Sequence, residues 1–260
     1  LSYYRLVLNG TPISRNVMDL WTQMEFLSPK ILKMSFREFR DNFLDWKYYP
    51  DTHKTIIGKQ HNIDALYSLI EPYVFDAKLN LEISKLNKEV EFRVQDDEEY
   101  QMIKQEFLFN LSTMKDIEFL TYTQKMQMSY TLDSGKIKCI DELLKDNPEP
   151  TILFCKYVKT QDYLKERYPQ CKVLTYGKGT FGLNLQAYKN MIFVDKTWDY
   201  AQLEQAQRRI YRIGQEKDVN FFYLTGNVGL EKMIDKCISK KINILDEFKK
   251  SSKEELANVI

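Results

Sequence analysis

Gln205-Ala206-Gln207-Arg208-Arg209-Ile210-Tyr211-Arg212-Ile213-Gly214-Gln215 closes a longer stretch that begins at Lys178, and its reading decides the rest of the chain. At about 100° per residue the segment predicts a helix. Gln205, Arg209 and Arg212 then fall within roughly 60° of one another, with Arg208 at the edge of that face. Leu203, Ala206, Ile210 and Ile213 fill the opposite stripe, and Gly214 stands where a helix takes its C-terminal glycine. One face buries and the other presents guanidiniums. Arginine keeps its charge at any working pH and offers a rigid fork of donors suited to phosphate. A solvated basic face is the plainer explanation of such a row. Two features favour function over it: the arginines have no acidic partners at i±4 on their own face, and a glycine-bearing motif lies just upstream.

That motif is Gly179-Thr180-Phe181-Gly182-Leu183-Asn184-Leu185-Gln186, followed by Met191-Ile192-Phe193-Val194-Asp195 and then Lys196-Thr197-Trp198. Glycines let backbone approach a ligand closely, and the apolar run has the length of a buried parallel strand. A G-x-x-G by itself identifies little. Together with Gln-Ala-x-x-Arg-x-x-Arg-Ile-Gly-Gln at this distance, it closely resembles motifs V and VI of the Snf2-like branch of superfamily 2 helicases. These are DNA-dependent ATPases that translocate on duplex DNA, and the Arg-Ile-Gly-Gln ending is characteristic of that branch.

Composition sets the outer bounds. The chain has 260 residues, enough for one large domain or two small ones. Its net charge of +1 does not mark a nucleic-acid binder, so any such contact must come from local patches. Cys139, Cys155, Cys171 and Cys237 form no C-x-x-C, and His53 and His61 show no ligand spacing. They read as reduced, structural cysteines in a soluble intracellular protein (cytoplasmic or nuclear) without a metal site. No apolar run approaches the roughly 20 residues needed to span a bilayer, and no membrane partner is expected.

Near the start, Tyr4-Arg5-Leu6-Val7-Leu8 reads as a strand, and Asn9-Gly10-Thr11-Pro12 as the turn that ends it. An ordinary strand-to-helix turn would explain it. It also resembles motif III of the same family, usually Leu-(Thr/Ser)-Gly-Thr-Pro, with Asn9 as a departure. A phosphate-cradling P-loop needs G-x-x-x-x-G-K-[ST]. The Gly-Lys pairs at Gly58, Gly135 and Gly177 are followed by Gln60, Ile137 and Gly179, so none qualifies. The acidic cluster Asp96-Asp97-Glu98-Glu99 precedes an amphipathic run and reads as a helix N-terminus rather than a magnesium-binding Asp-Glu box.

From Val17 to about Leu132 the reading is mostly helical and aromatic-rich, with Met18 to Leu27, Phe36/Phe39/Phe43 and His61 to Tyr73 as separate segments. Val90 to Val94 reads as an alternating strand. Ser134-Gly135-Lys136 opens a helix, as in the resembled family, and Thr151 to Cys155 is a short buried strand ending at Lys156. Helix Thr160 to Tyr168, strand Lys172 to Thr175, strand Asn220 to Leu224 and helix Leu230 to Phe248 follow. Strands alternating with helices predict an α/β, parallel-sheet lobe. The resemblance makes it RecA-like, with a mostly helical N-terminal portion. It divides the chain into residues 1–82, a remnant of the first ATPase lobe with its helical protrusion and connector, and 83–248, the second lobe. Residues 249–260 read as a loosely held tail. One departure stands out: the family has two strands and a helix between motifs IV and V. Here only Cys171 to Tyr176 intervenes, about 25 residues short of a strand-helix-strand unit.

The resemblance also implies roles. ATP, with Mg2+, lies between two lobes and is bound mainly by the first. Carried over by position, Arg209 and Arg212 are the arginine fingers, Gln205 orients the nucleotide or its water, and Gly182 shapes the adjoining loop. Relatives tend to carry an acidic residue where this chain has Arg208. Contacts to double-stranded DNA fall on Lys156, Lys178, Thr180, Gly10 and Thr11, all to phosphate and independent of sequence. Trp198 is either a further DNA contact or a packing anchor. The expected partners are duplex DNA and the rest of the first ATPase lobe. The rival expectation is a module of the same fold that has lost motor activity and only binds DNA or a partner protein.

Overall fold

The computed structural model describes the chain apart from residues 1–2, 10–11, 14–15, 52, 76–80, 180–183 and 242–243, and apart from the side chains of 178–179 and 244–245. In chain order its helices are α1 (Met18–Leu27), α2 (Phe36–Phe43), α3 (Ile63–Ile70), α4 (Glu98–Asn110), α5 (Asp116–Ser129), α6 (Ser134–Asp146), α7 (Val158–Arg167), α8 (Tyr176–Gly179), α9 (Tyr200–Gln207), α10 (Gly229–Lys240), α11 (Ile244–Lys250) and α12 (Lys253–Val259). Its strands are β1 (Leu44–Tyr49), β2 (Lys54–Gln60), β3 (Lys85–Phe92), β4 (Thr151–Cys155), β5 (Lys172–Thr175), β6 (Asn190–Phe193) and β7 (Val219–Gly226).

The centre is a five-stranded sheet in the order β3-β7-β6-β4-β5, parallel at every pairing. The fold is therefore α/β, as the alternation of strands and helices predicts. Its middle strands β4 and β6 are buried at every residue, which is why they read as continuous apolar runs instead of alternating ones. Side chains of opposite parity feed two cores. Leu153, Cys155, Ile192, Phe222 and Leu224 face a large cluster with α4, α5, α6, α7 and α10. Ile152, Phe154, Met191, Phe193 and Phe221 face a smaller one closed by Leu185, Ala206 and Ile210. Register explains the aromatic ladder on the second face: Phe154 is opposite Phe193, and Phe193 opposite Tyr223. Their ring centroids are 5.9 and 4.9 Å apart.

The edge strand β3 starts five residues earlier than its sequence pattern predicts, because β7 pairs with it from Lys85 to Phe92. Its exposed, lysine-bearing residues suit an edge that must not pair further. Immediately beyond it, α6 approaches so closely that a Cβ on Gly135 would lie 2.1 Å from the carbonyl oxygen of Arg93. Glycine is required there.

The N-terminal part has its own core of Val17, Leu20, Met24, Phe39, Phe43, Leu66 and Ile70, drawn from α1, α2 and α3. It is not wholly helical. Leu44 to Gln60 forms an antiparallel hairpin, for which Pro50-Asp51 before Thr55-Ile56-Ile57 was the available signal. The hairpin meets the sheet domain through Lys54, 3.7 Å from an Asp116 that also pairs with Lys249 of α11 at 2.8 Å. Tyr4 to Leu8 forms no strand: Leu6 and Leu8 are 76% and 87% exposed, and among the described residues no strand lies beside them. Apolar alternation makes a strand only when a neighbour supplies the ladder.

Two corrections concern the C-terminal end. The helix expected from Leu230 to Phe248 is interrupted at Lys241, whose φ of 52° ends α10. The expected loose tail is a helix, α12, with a Ser252–Glu255 capping box and Leu256 in the main core. Among the described residues no helix is long and apolar enough to cross a membrane.

Candidate functional site

Ligands of open parallel sheets gather at the carboxyl ends of the strands. Here that edge carries a dense set of buried charges. β6 continues through Val194 to Asp195, which is buried. Its Oδ1 accepts from Thr131 Oγ1 at 2.6 Å and from Lys136 Nζ at 3.0 Å. Its Oδ2 accepts from the Lys156 backbone N–H at 3.1 Å, and its carbonyl from the Tyr176 hydroxyl at 2.9 Å. Lys136 is the lysine of the Ser-Gly-Lys sequence; its side chain is 1% exposed and lies against the Phe92 and Tyr130 rings. The next residue, Lys196, pairs with Asp235 at 2.6 Å and Glu231 at 3.5 Å. Tyr130 donates to Glu231 at 2.8 Å, and burial pushes the Glu231 carboxyl above the usual carboxylate range. Gln127 completes the set: it donates to the Lys196 carbonyl at 2.8 Å and accepts from Lys156 Nζ at 2.9 Å and Tyr157 at 2.8 Å. This network fastens β4, β6, α5, α6 and α10 together.

Lys156 belongs to it. The ammonium stands 3.0 Å from the centroid of the Trp198 ring, and burial lowers its pKa well below the ordinary lysine value. Trp198 packs against the main core, with its Nε1 buried and lacking a hydrogen-bond partner.

The arginine segment differs in kind. α9 starts with Asp199, which accepts from the Ala201 N–H at 2.8 Å, and stops at Gln207. Arg209, Ile210 and Tyr211 lie in turns beyond it, not in a continued helix. This corrects the predicted stripe. Ala206 and Ile210 are buried as expected, but Ile213 is 76% exposed. Arg208 does have an acidic partner at i−4, Glu204 Oε1 at 2.6 Å. Arg209 does not: its Nε is buried with no hydrogen-bond partner among the described residues. Burial and the neighbouring Arg212 both push its pKa down. Arg212 is exposed, and Gln205 on α9 is half-buried. Two guanidiniums thus stand together with no carboxylate paired to either among the described residues.

The model of the SNF2-related domain matches residues 2–152. The chain belongs to this family. SNF2-related relatives include chromodomain-helicase-DNA-binding protein 1 of Gallus gallus, 22% identical over 315 residues and covering 94% of this chain but 17% of the relative. The human SWI/SNF-related matrix-associated actin-dependent regulator of chromatin subfamily A member 1 is 23% identical over 306 residues, covering 89% of this chain and 28% of the relative. Among solved structures, the Sulfolobus solfataricus SWI2/SNF2 ATPase core domain has a TM-score of 0.51 at 23% identity, over 94% of this chain and 62% of that one. The chain therefore spans under a third of these curated relatives. The alignment to the first runs to 315 positions against a chain of 260, so that relative carries segments with no counterpart here. The arginine segment lies beyond the matched residues 2–152.

Against the SNF2-related pattern, the structure brings Arg209, Arg212 and Gln205 onto or next to one helix. Lys156 and Trp198 share the buried network. Lys178 lies in α8, with its side chain outside the described residues, and Gly10, Thr11, Thr180 and Gly182 also lie outside them. Sequence reasoning assigned no role to Gln127, Lys136, Asp195, Glu231, Gln186 or Gln215. The Ser-Gly-Lys and Asp195-Lys196 pairs were visible, but the contact joining them spans 59 residues.

Proposed function

We propose that this chain is part of an ATP-dependent double-stranded DNA translocase and contributes its second lobe, with Arg209 and Arg212 as arginine fingers. The carrying observation is the partly buried Arg209 guanidinium beside Arg212, with its Nε lacking a hydrogen-bond partner among the described residues. An isolated positive pair of this kind is costly to maintain and suited to an anion with several oxygens. Phosphoryl transfer is catalysed mainly by positioning and by neutralising charge on the γ-phosphate oxygens. ATP supplies the phosphoryl group. In that reaction Arg209 and Arg212 hold the developing charge, Gln205 orients the nucleotide or its water, and Gly182 shapes the adjoining loop. Among the described residues no group of three or more His, Cys, Asp or Glu could hold a metal ion. By the family resemblance, we assign Mg2+ and most of the triphosphate contacts to the rest of the first lobe. The chain alone is then inactive in hydrolysis.

The names of the relatives, a helicase-DNA-binding protein and a regulator of chromatin, support duplex DNA as the track and an intracellular setting. We assign phosphate contacts to Lys178, Thr180, Gly10, Thr11 and Trp198. Lys156 joins them only if it leaves Trp198 and Gln127. Affinity for duplex should then fall steeply with salt and be indifferent to sequence.

The test uses the whole protein that carries this chain. Arg212→Ala should cut ATP turnover by roughly 10³- to 10⁵-fold while leaving Tm and duplex affinity near wild type. Arg212→Lys should recover little, since an ammonium lacks the planar fork. Ile210→Ala should do the reverse, costing about 2 to 5 kcal/mol of stability because Ile210 is core. Unfolding of Arg212→Ala, or normal hydrolysis by Arg212→Lys, would make the arginines structural and leave a binding module.

A further inference from the structure

The turns that carry the two arginines are anchored in the apolar core by Ile210 and by the partly buried Tyr211, but not beyond Arg212. Ile210 is buried beside Arg209, but Ile213, beside Arg212, is exposed. The local backbone bonds are short-range: Arg209 N–H to Ala206, Ile210 and Tyr211 N–H to Gln207, and Gln215 N–H to Arg212, at 3.0 to 3.2 Å. Such bonds define turns but do not attach them to the sheet domain. Something else must hold the Arg212 end.

Two glutamines do so. Gln215 is 7% exposed, and its side-chain amide lies within hydrogen-bond reach of three carbonyls, those of Gln186 (3.0 Å), Ile210 (3.2 Å) and Tyr188 (3.3 Å). Its Oε1 accepts from the N–H groups of Glu216 and Lys217, each at 3.1 Å. Gln186 reaches back, with Nε2 donating to the carbonyl of Ile213 at 2.5 Å. Gly214 makes this possible. Its φ is 88°, and a Cβ there would lie 2.7 Å from Gln186 Nε2. The segment thus clasped, Gln186 to Tyr188, begins at the last residue of the glycine-bearing motif. The clasp joins the two motifs by side-chain amides, without a charge that would compete for an anion.

We infer that Gln215, with Gln186, is a positioning residue for Arg212: it fixes the backbone from which that guanidinium reaches phosphate. The inference rests on the finger assignment above. A displacement of about 1 Å in a catalytic group can cost on the order of 100-fold in rate, so a clasp at the unanchored end matters to turnover and little to binding.

The test combines a readout without nucleotide with a kinetic one, in the whole protein. Gln215→Leu removes both halves of the amide; Gln215→Glu keeps an acceptor for Glu216 and Lys217 but loses the donors to the three carbonyls. Without nucleotide, amide exchange over residues 209–217 should speed up at least tenfold in both variants, with β6 and β7 unchanged. With ATP and duplex, kcat should fall about 10- to 100-fold and KM should change less than threefold. In an Arg212→Ala background, Gln215→Leu should cost nothing further, since it acts through Arg212. If Arg212→Ala abolishes turnover while both Gln215 variants keep kcat within twofold, the positioning role is overturned and the fingers stand. Turnover untouched by Arg212→Ala removes the finger reading and this inference together. Faster exchange spread over the whole sheet, or losses that multiply with Arg212→Ala, would make Gln215 a fold residue instead.

Discussion

Two sets of charges sit within twenty residues of each other in sequence and have opposite fates. Around Asp195 and Lys196 every cation has an acceptor: Lys136 on Asp195, Lys196 on Asp235, Lys156 on Gln127 and the Trp198 ring. Around Arg209 and Arg212 no acidic partner is present among the described residues, and one buried donor is left over. A buried network in which every charge has a partner fixes a structure, even where, as here, the uncharged Trp198 Nε1 is left without a hydrogen bond among the described residues. A buried donor without a partner lowers stability and needs another reason to persist. The closed set therefore reads as the frame of the lobe and the open set as its working surface.

The sharpest way to break this comparison is Lys136→Met. It leaves the Asp195 carboxylate buried with only the Thr131 hydroxyl and the Lys156 N–H, so unfolding free energy should fall by about 3 to 5 kcal/mol. Adding Asp195→Leu should restore much of it. A chemical denaturation curve reads both, and a loss below about 1 kcal/mol for the single change would mean the pair is not structural.

A smaller effect is expected from Lys156. Burial holds its folded pKa below the unfolded value. Between those two values the unfolded chain binds a proton that the folded chain does not, so stability rises with pH through that window. Lys156→Met should flatten this rise, by at most about 1.4 kcal/mol per pH unit. Parallel stability–pH profiles for the two proteins would show instead that Lys156 is solvated and available to a phosphate.

The smallest effect belongs to the open set. Arg209→Met keeps the apolar stem and removes the orphan donor, so Tm should hold or rise, within about 1 kcal/mol in stability. Ile213→Ser, at an exposed position, should stay within about 0.5 kcal/mol. A clear destabilisation by either would place that residue in the frame after all.

The alternating strands and helices of the sheet domain and its parallel sheet were legible because each rests on local signals. Four- to five-residue apolar runs mark β4 and β6, and the charged start marks α4. The same locality explains the errors. Helical periodicity extended to Ile213 a helix that ends at Gln207, and the apolar run at Tyr4 to Leu8 has no strand to pair with among the described residues. Only the tertiary structure decided that Lys136 meets Asp195, that Lys156 turns inward beneath Trp198, and that Gln215 clasps Gln186. Those contacts join residues 29 to 59 positions apart, brought together by the parallel crossovers of one sheet. Whether a charge has a partner is likewise no property of its neighbours in sequence. It depends on which side chains the fold delivers to the same few ångströms, and here the fold delivers carboxylates to Lys136 and Lys196 and, among the described residues, none to Arg209.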